Sequence, residues 1–386
     1  MSTRGRTLRL ATRGSELALR QAATVRDLLA TRRLDVELVE VETTGDQLRD
    51  ELIHRLGTTG AFVRSLDEKV IDGELDAAVH SMKDMPTDQP AELVVAGIPE
   101  RAAAGDVLIT PDGTDLAALP SGAVIGTSSL RRRAQLLARR PDIEVEGLRG
   151  NVDTRVEKLL APSLQREHER RVEAAEGEPE GADGDSDDGN DGGADDSGED
   201  AGDEGFEQSV EEWFDGLAEV ERRALEREVD TEYDAICLAE AGLARSGLLH
   251  HLEYERLAPT EFVPAPGQGT IAVTALDGEV AETIHGAVDH PPTRVETTVE
   301  RTVLAELGGG CVAPMGVYAR LQGEVVAVVA RVLSQDGTEE VGGERELPVE
   351  RHAEAAAEFA ADLADDGAKR LVKQAARESA DEAKRE

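Results

Sequence analysis

The sequence predicts an α/β fold. Two observations carry that expectation. Short apolar strands alternate with stretches of helical spacing along the chain, and the arginine-bearing polar runs fall where strands give way to helices. The 386 residues are enough for two or three domains with a real core. Thr7–Ala11 alternates like a strand and feeds Ser15–Thr31, where Leu17, Ala18, Ala22, Val25, Leu28 and Leu29 recur at helical intervals. Val36–Val41 reads as a strand, Phe62–Ile71 as a helix and Asp76–His80 as a short buried strand. Further strands are expected at Leu93–Ile98, Val107–Thr110 and Ala123–Gly126, the last opening into a helix from about Ser129. Ile143–Glu146 is a strand, and Asn151–Leu160 a helix. Later come a strand at Asp234–Ala239, a helix at Glu240–Ser246 and a strand at Thr270–Ala275. The tail reads as a helix over Pro292–Leu307, strands at Met315–Leu321 and Glu324–Val332, and a helix over Arg351–Ala375.

Composition excludes several functions. The net charge is −39, with 36 Arg, 6 Lys and nine aromatic residues. A general nucleic-acid binder needs a basic footprint, and an anionic membrane would repel this chain. Neither partner is expected. The apolar runs fall short of the ~20 residues of a membrane span. No secretory signal is evident in Met1–Arg20, so a cytoplasmic location is expected. Two cysteines, Cys237 and Cys311, make no disulfide framework, and no Cys/His group has zinc spacing. An acid-rich, Lys-poor chain also points to a salt-loving host, where ions screen self-repulsion. Residues 161–229 hold 25 acidic and 6 basic side chains, and Glu173–Glu204 has no basic residue. That segment reads as a disordered acidic insertion in a surface loop, although Ser209–Val229 regains helical spacing.

Four segments place polar groups at strand-to-helix junctions. In Ala11–Ser15, Arg13 and Ser15 stand where helix N–H groups help hold an anion, although a plain helix cap at Ser15 explains the same residues. In His80–Pro86, Lys83 offers a compact ammonium and Asp84 a carboxylate; a surface ion pair is the plainer alternative. In Gly126–Arg133, three hydroxyls (Thr127, Ser128, Ser129) precede Arg131 and Arg132 in a first helical turn, against the helix dipole. Arg149 and Arg155 repeat the theme one strand later. Hydroxyl donors, helix N–H groups and guanidinium forks together make a receptor for a polyanionic small molecule. The fourth segment, Leu307–Pro314, displays Cys311 after three glycines, whereas Cys237 lies inside an apolar strand.

Taken in order, LRLATRGSELALRQA, AVHSMKDMP, GTSSLRRRAQL, LRGNVDTRVEKL, YDAICLAEAGLARSGL, PAPGQG and GGGCVAPMG resemble the porphobilinogen deaminase (hydroxymethylbilane synthase) family. The resemblance covers nearly the whole chain outside 161–229. It implies a transferase of porphyrin and heme biosynthesis that joins four porphobilinogen molecules into the linear tetrapyrrole hydroxymethylbilane and releases ammonia. It also implies a dipyrromethane primer thioether-linked to Cys311, and no metal. Lys83, Asp84, Thr127, Ser128, Ser129, Arg131 and Arg132 match cofactor-binding positions; Arg13, Ser15, Arg149, Arg155 and Arg245 match substrate-binding ones. Asp84 is the expected catalytic residue: a fixed carboxylate accepting pyrrole N–H bonds stabilises the cationic azafulvene left when ammonia departs. Where relatives often carry two loop lysines, this chain has Arg55 and Thr59.

The resemblance further implies two lobes like those of periplasmic binding proteins, with an intervening cleft, plus a smaller C-terminal α/β domain. Domain 1 would comprise 1–100 and 269–286, domain 2 would span 101–268 with the insertion, and 290–386 would carry the cofactor cysteine. A monomer is expected. The competing class is a non-catalytic two-lobed anion-binding protein, which leaves the Cys311 loop without a purpose.

Overall fold

The computed structural model describes residues 7–30, 35–41, 61–177, 206, 208–310 and 313–385. The chain begins β1 (Thr7–Thr12), α1 (Glu16–Ala30), β2 (Asp35–Glu40), α2 (Ala61–Ile71), β3 (Ala77–Ser81) and β4 (Leu93–Gly97). It continues β5 (Asp106–Ile109), β6 (Val124–Gly126), α3 (Leu130–Arg139), β7 (Glu144–Glu146) and α4 (Val152–Gly177). Then follow α5 (Val210–Gly216), α6 (Glu219–Leu225), β8 (Ala235–Ala239), α7 (Glu240–Ser246), β9 (Tyr254–Leu257) and β10 (Ile271–Leu276). Next are α8 (Glu279–Val288), α9 (Pro291–Glu306), β11 (Met315–Gln322), β12 (Val325–Leu333) and β13 (Glu340–Pro348). Helices α10 (His352–Asp365) and α11 (Ala368–Arg385) close the chain.

The fold is α/β, with three sheets. The first has the order β2-β1-β3-β10-β4, with β1 parallel to β2 and β3. Strand β10 enters antiparallel between β3 and β4, pairing Val273 with Val79 and Leu276 with Leu93. The second sheet, β7-β6-β8-β5-β9, places β5 antiparallel between β8 and β9. The third is an antiparallel meander of β11, β12 and β13. Each sheet has its own apolar core. Leu10, Val25, Leu29, Val273 and Ile284 fill the first, and Leu108, Ile125, Leu136, Cys237 and Phe262 the second. Val303, Val317, Val328, Phe359 and Leu371 fill the third. Each of the Val, Leu, Ile and Phe side chains contributes about 1.5–3 kcal/mol by leaving water.

Contacts divide the chain into two units. Residues up to 155 and from 233 onward hold the sheets; residues 156–232 form the other. Within the smaller unit, Arg171 lies over the rings of Phe206 and Trp213 at 4.2 and 5.2 Å, Glu157 pairs with Arg227, and Ser209 caps α5 in a reciprocal box with Glu212.

Several boundaries differ from the sequence reading. The helix expected to stop at Leu160 runs on to Gly177, so the acidic segment is helical over its first seventeen residues, not disordered from 161. Pro162 removes one N–H, yet Val156, Leu159, Leu160 and Ala161 are buried and hold the helix through it. What lies at 178–205 is outside the described residues. Strands β9 and β13 escaped notice because their segments, YERL and EVGGERELP, are charged or glycine-bearing and lack apolar alternation. Helix α8 was missed too. The long C-terminal helix is two, broken at Gly367, whose φ of +106° suits only glycine.

Burial of Cys237 in β8 pushes its thiol up to about 12, so it stays protonated and inert at neutral pH. An alkylating reagent should leave Cys237 unmodified in the native protein and modify it after denaturation, read by peptide mass. Cys237→Ala should cost about 1 kcal/mol of stability through the lost packing, measured by denaturant unfolding.

Candidate active site

The site is built around the turn Gly267-Gln268-Gly269, which precedes β10. Gly267 adopts φ +74°, and a Cβ there would lie 2.9 Å from the Met82 side chain. Gly269 adopts φ +82°, and a Cβ would lie 2.7 Å from the Ala102 carbonyl oxygen. Both positions require glycine because the backbone is left-handed and a neighbouring segment packs directly on it. The Met82–Asp84 turn, the Arg131–Arg132 pair and Arg245 meet this turn, and the expected site residues fall into three groups.

The first group is the 3-10 turn Met82–Asp84 that ends β3. Met82 and Met85 are buried, while Lys83 and Asp84 are exposed. Among the described residues neither Lys83 nor Asp84 makes an ion pair, so the surface pair that composition allowed is not formed. The turn is held from behind by Arg301 on α9, which donates to the carbonyls of Met82, Met85 and Pro86 at 3.4, 3.2 and 2.7 Å. Arg301 has no carboxylate partner among the described residues, and burial lowers its pKa. Beneath the turn, His80 Nε2 lies 2.9 Å from Asp67 Oδ1 and 3.0 Å from Thr274 Oγ1, tying α2, β3 and β10 together.

The second group is the junction of β6 and α3. Ser129 caps α3, its hydroxyl accepting from the Arg132 amide. Thr127 Oγ1 accepts from the Ser129 amide at 3.3 Å. Both hydroxyls therefore keep their own hydrogen for another acceptor. Ser128 differs, since its hydroxyl already donates to the Leu148 carbonyl. Arg131 and Arg132 are buried, not displayed. Arg131 Nη2 donates to Asp106 Oδ2 at 2.7 Å, and Arg132 Nε to Asp106 Oδ1 at 2.9 Å. Burial works against every charge here. It leaves Arg131 below its ordinary value; at Arg132 the pull of Asp106 outweighs it; and the two guanidiniums hold Asp106 below the usual carboxylate range. Two cations share one anion, so positive charge remains. The Arg131 Nε atom is buried and makes no hydrogen bond.

The third group is arginines from the flanking elements. Arg155, in the first turn of α4, donates to the Gly150 carbonyl at 2.8 Å. Burial, with Arg132 adding repulsion, pushes it down to about 10, still charged at neutral pH. Arg245 at the end of α7 donates to the Gly269 carbonyl at 2.7 Å, and burial lowers it too. Neither has an acidic partner among the described residues. The sequence-expected Arg13 is half-buried just beyond β1, and Arg149 is exposed in the turn before α4. Ser15 is a helix cap: its hydroxyl accepts from the Ala18 amide at 3.3 Å. Cys311, Arg55 and Thr59 lie outside the described residues.

Sequence reasoning missed the supporting acids and amides. Asp106, Arg101 and Glu300 lie in none of the quoted motifs, and Gln268 lies in PAPGQG, which by itself assigns it no role. Glu300 is buried against both terminal nitrogens of Arg101 at 2.7 and 3.0 Å and accepts from the Gly267 and Ala319 amides. The available signal was a charged residue inside otherwise apolar spacing, as in Asp106 beside VLI. A concavity elsewhere, against β12 and β13, is lined by Arg139, Glu261, Arg331 and Glu340, whose charges are already paired.

A family description matches most of the chain. Porphobilinogen deaminase, dipyromethane cofactor binding domain, matches residues 8–167 and 218–283, and the porphobilinogen deaminase C-terminal domain matches 295–372. The chain is 54% identical over 366 residues to a probable porphobilinogen deaminase of Halobacterium salinarum, covering 90% of this chain and 92% of that one. It is 36% identical over 349 residues to a probable porphobilinogen deaminase of Methanococcoides burtonii, covering 90% of each. Among solved structures, a YaeC-family lipoprotein of Enterococcus faecalis aligns over 73% of this chain and 90% of its own, at 12% identity and a TM-score of 0.34. The match to the cofactor binding domain is interrupted at 168–217, within the acidic segment read at 161–229. With matches across both domains and relatives of nearly equal length, the chain belongs to the porphobilinogen deaminase family, transferases that polymerise porphobilinogen in tetrapyrrole biosynthesis.

Proposed function

We propose that the exposed Asp84 is the catalytic residue and that the cations around the Gly267–Gly269 turn bind the carboxylates of the primer and the growing chain. One observation carries this reading. An acidic protein holds Arg155 and Arg245 partly buried with no acidic partner among the described residues, beside an Asp106 cluster that retains net positive charge. A cation held this way loses hydration with only a main-chain carbonyl in return, and an incoming carboxylate supplies the missing counter-charge.

The donor set suits a dipyrromethane. Its acetate and propionate groups are acceptors; Thr127, Ser129 and the orphaned Arg131 Nε offer hydrogen-bond donors, and the Arg131–Arg132 pair adds the positive charge that Asp106 leaves over. Cys311 would hold the group covalently. When bound, dipyrromethane supplies the pyrrole terminus to which four porphobilinogen units are added. Lys83, Thr127, Ser129, Arg131 and Arg132 would hold its carboxylates; Ser128, whose hydrogen goes to the Leu148 carbonyl, would take part by accepting a pyrrole N–H. Arg13, Ser15, Arg149, Arg155 and Arg245 would hold porphobilinogen. Asp84 accepts the pyrrole N–H of the substrate, stabilises the positive charge that develops as ammonia leaves, and takes up a proton at its carboxylate. Arg301 anchors the turn that carries it.

The domain division read from the resemblance fits the three sheets, with β10 and α8 belonging to the first. No helix among the described residues is long and apolar enough to cross a membrane. We read the protein as a cytoplasmic monomer of a high-salt cell that binds no nucleic acid, with 168–217 as a solvated spacer; the net charge of −39 supports this.

Intact-mass spectrometry of the protein and of Cys311→Ser, both prepared in high salt, should show the added mass of a dipyrromethane on the native protein alone. A native protein still unmodified after incubation with porphobilinogen would remove the covalent primer. Asp84→Asn should keep the primer and its melting temperature while kcat falls about a hundredfold or more; near-normal kcat with intact primer defeats the assignment. Deleting 178–205 should leave kcat and KM within about twofold, and loss of soluble protein at high salt would refute the spacer reading.

A further inference from the structure

The side chain of Gln268 is almost fully buried and lies between the paired arginines and the backbone that leads into β5. Its Nε2 lies 2.7 Å from the Ala104 carbonyl oxygen, 3.1 Å from that of Gly105 and 2.9 Å from Asp106 Oδ1. Its Oε1 accepts from Arg131 Nη2 and Arg132 Nη2, both at 3.4 Å. The polarity of this amide is fixed: three acceptors face its nitrogen and two guanidiniums face its oxygen, so a flipped amide would oppose like groups on both sides. The Gln268 main-chain carbonyl accepts from Arg101 Nε at 2.9 Å, and Arg101 is held by Glu300.

We propose that Gln268 is a positioning residue for primer binding, which sets the orientation of the Arg131 and Arg132 guanidiniums by filling the gap between them and fixing the carboxylate they share. Adjacent arginines at a helix start repel each other and the helix dipole. One carboxylate can restrain each guanidinium only through a single edge, leaving rotation about that contact. The Val263 carbonyl accepts from Arg131 Nη1 at 2.8 Å and the Cys237 carbonyl from Arg132 Nη1 at 3.5 Å, each holding one arginine separately; the Gln268 oxygen is the neutral acceptor that the two share. Its nitrogen pins Asp106, so the carboxylate cannot swing toward either arginine alone. The guanidinium hydrogens not already engaged, that of the unpartnered Arg131 Nε among them, are thereby held in one arrangement, suited to carboxylates at fixed spacing on a pyrrole pair. Gln268 touches neither substrate nor primer in this scheme, and acts through Asp106 and the arginines. The inference rests on the assignment of Arg131 and Arg132 to the primer made above.

The test compares Gln268→Met, Gln268→Asn and Arg132→Ala with the native protein. Apo-protein of each is incubated with porphobilinogen well below its melting temperature, and primer acquisition is followed by intact mass. Steady-state kcat and KM are then measured on the loaded fraction. Gln268→Met should acquire primer about tenfold more slowly and show KM raised about fivefold, with kcat of loaded enzyme within about twofold. Gln268→Asn, which retains the amide but withdraws it by one methylene, should behave the same way, and serves if the Met variant does not fold. In an Arg132→Ala background Gln268→Met should add less than about twofold, because both changes act on one contact set. Primer acquisition and KM within twofold of native in a folded Gln268 variant would overturn the proposal, as would full additivity with Arg132→Ala. If Arg132→Ala alone acquires primer at the native rate, the ligand assignment of the arginines falls and this inference with it.

Discussion

Asp106 has no solvent exposure and accepts from two guanidiniums, Arg131 and Arg132, which are themselves almost fully buried. Burying three charges is costly, and a lone buried partner would be worse: removing one member of such a cluster typically costs about 3–5 kcal/mol. The rest of the site is organised by that constraint. Helix α3 must start where its first turn can reach Asp106, and β5 must begin at Asp106 itself. The turn before β10 must bring Gln268 into the remaining gap, which forces the close approach of Gly269 to Ala102. Because Asp106 is held below its ordinary value of 3.8, the stability it supplies is complete above that pH. That stability is lost as pH falls through the lower folded value.

Much of the α/β pattern was legible because many strands are either continuous apolar runs buried on both faces, like β8, or alternate apolar and polar residues, like β1. DAICLA and TLRLA read as strands without any tertiary information. The elements that escaped are those whose stability comes from neighbours. Strand β13 is mostly exposed and glycine-bearing, and exists because β12 pairs with it along its length from Leu333↔Glu340 to Val325↔Pro348. Helix α4 runs through Pro162 because the residues just before it are buried, which local propensity cannot register.

The site divides the same way. Lys83, Asp84 and the hydroxyl–arginine run were visible as residue types that local stability does not explain. What no spacing announced is that Arg131 and Arg132 face inward to a shared carboxylate, since Asp106, Gln268 and the arginines are brought together only by the crossing of distant segments. Ser15 shows the converse: its position fits an anion site, yet its hydroxyl is occupied in capping α1. A helix start offers the same donors for either purpose, and sequence cannot choose between them.

Adjacent residues on α9 join the two halves of the arrangement. Glu300 binds Arg101 and the amides of Gly267 and Ala319, while Arg301 binds the three carbonyls of the Lys83–Asp84 turn. The carboxylate thus secures the loop that carries Gln268, and the guanidinium secures the turn that carries Asp84. Their signs match their partners: amides and a guanidinium surround the acid, and carbonyl oxygens surround the base. Neither leaves its charge to attract ligand. The same helix leads directly into Leu307–Gly310, the run before Cys311. One turn of α9 therefore holds the turn that carries Asp84 and the loop that carries Gln268, just ahead of the segment proposed to carry the primer, and displacement of that turn would disturb all three together.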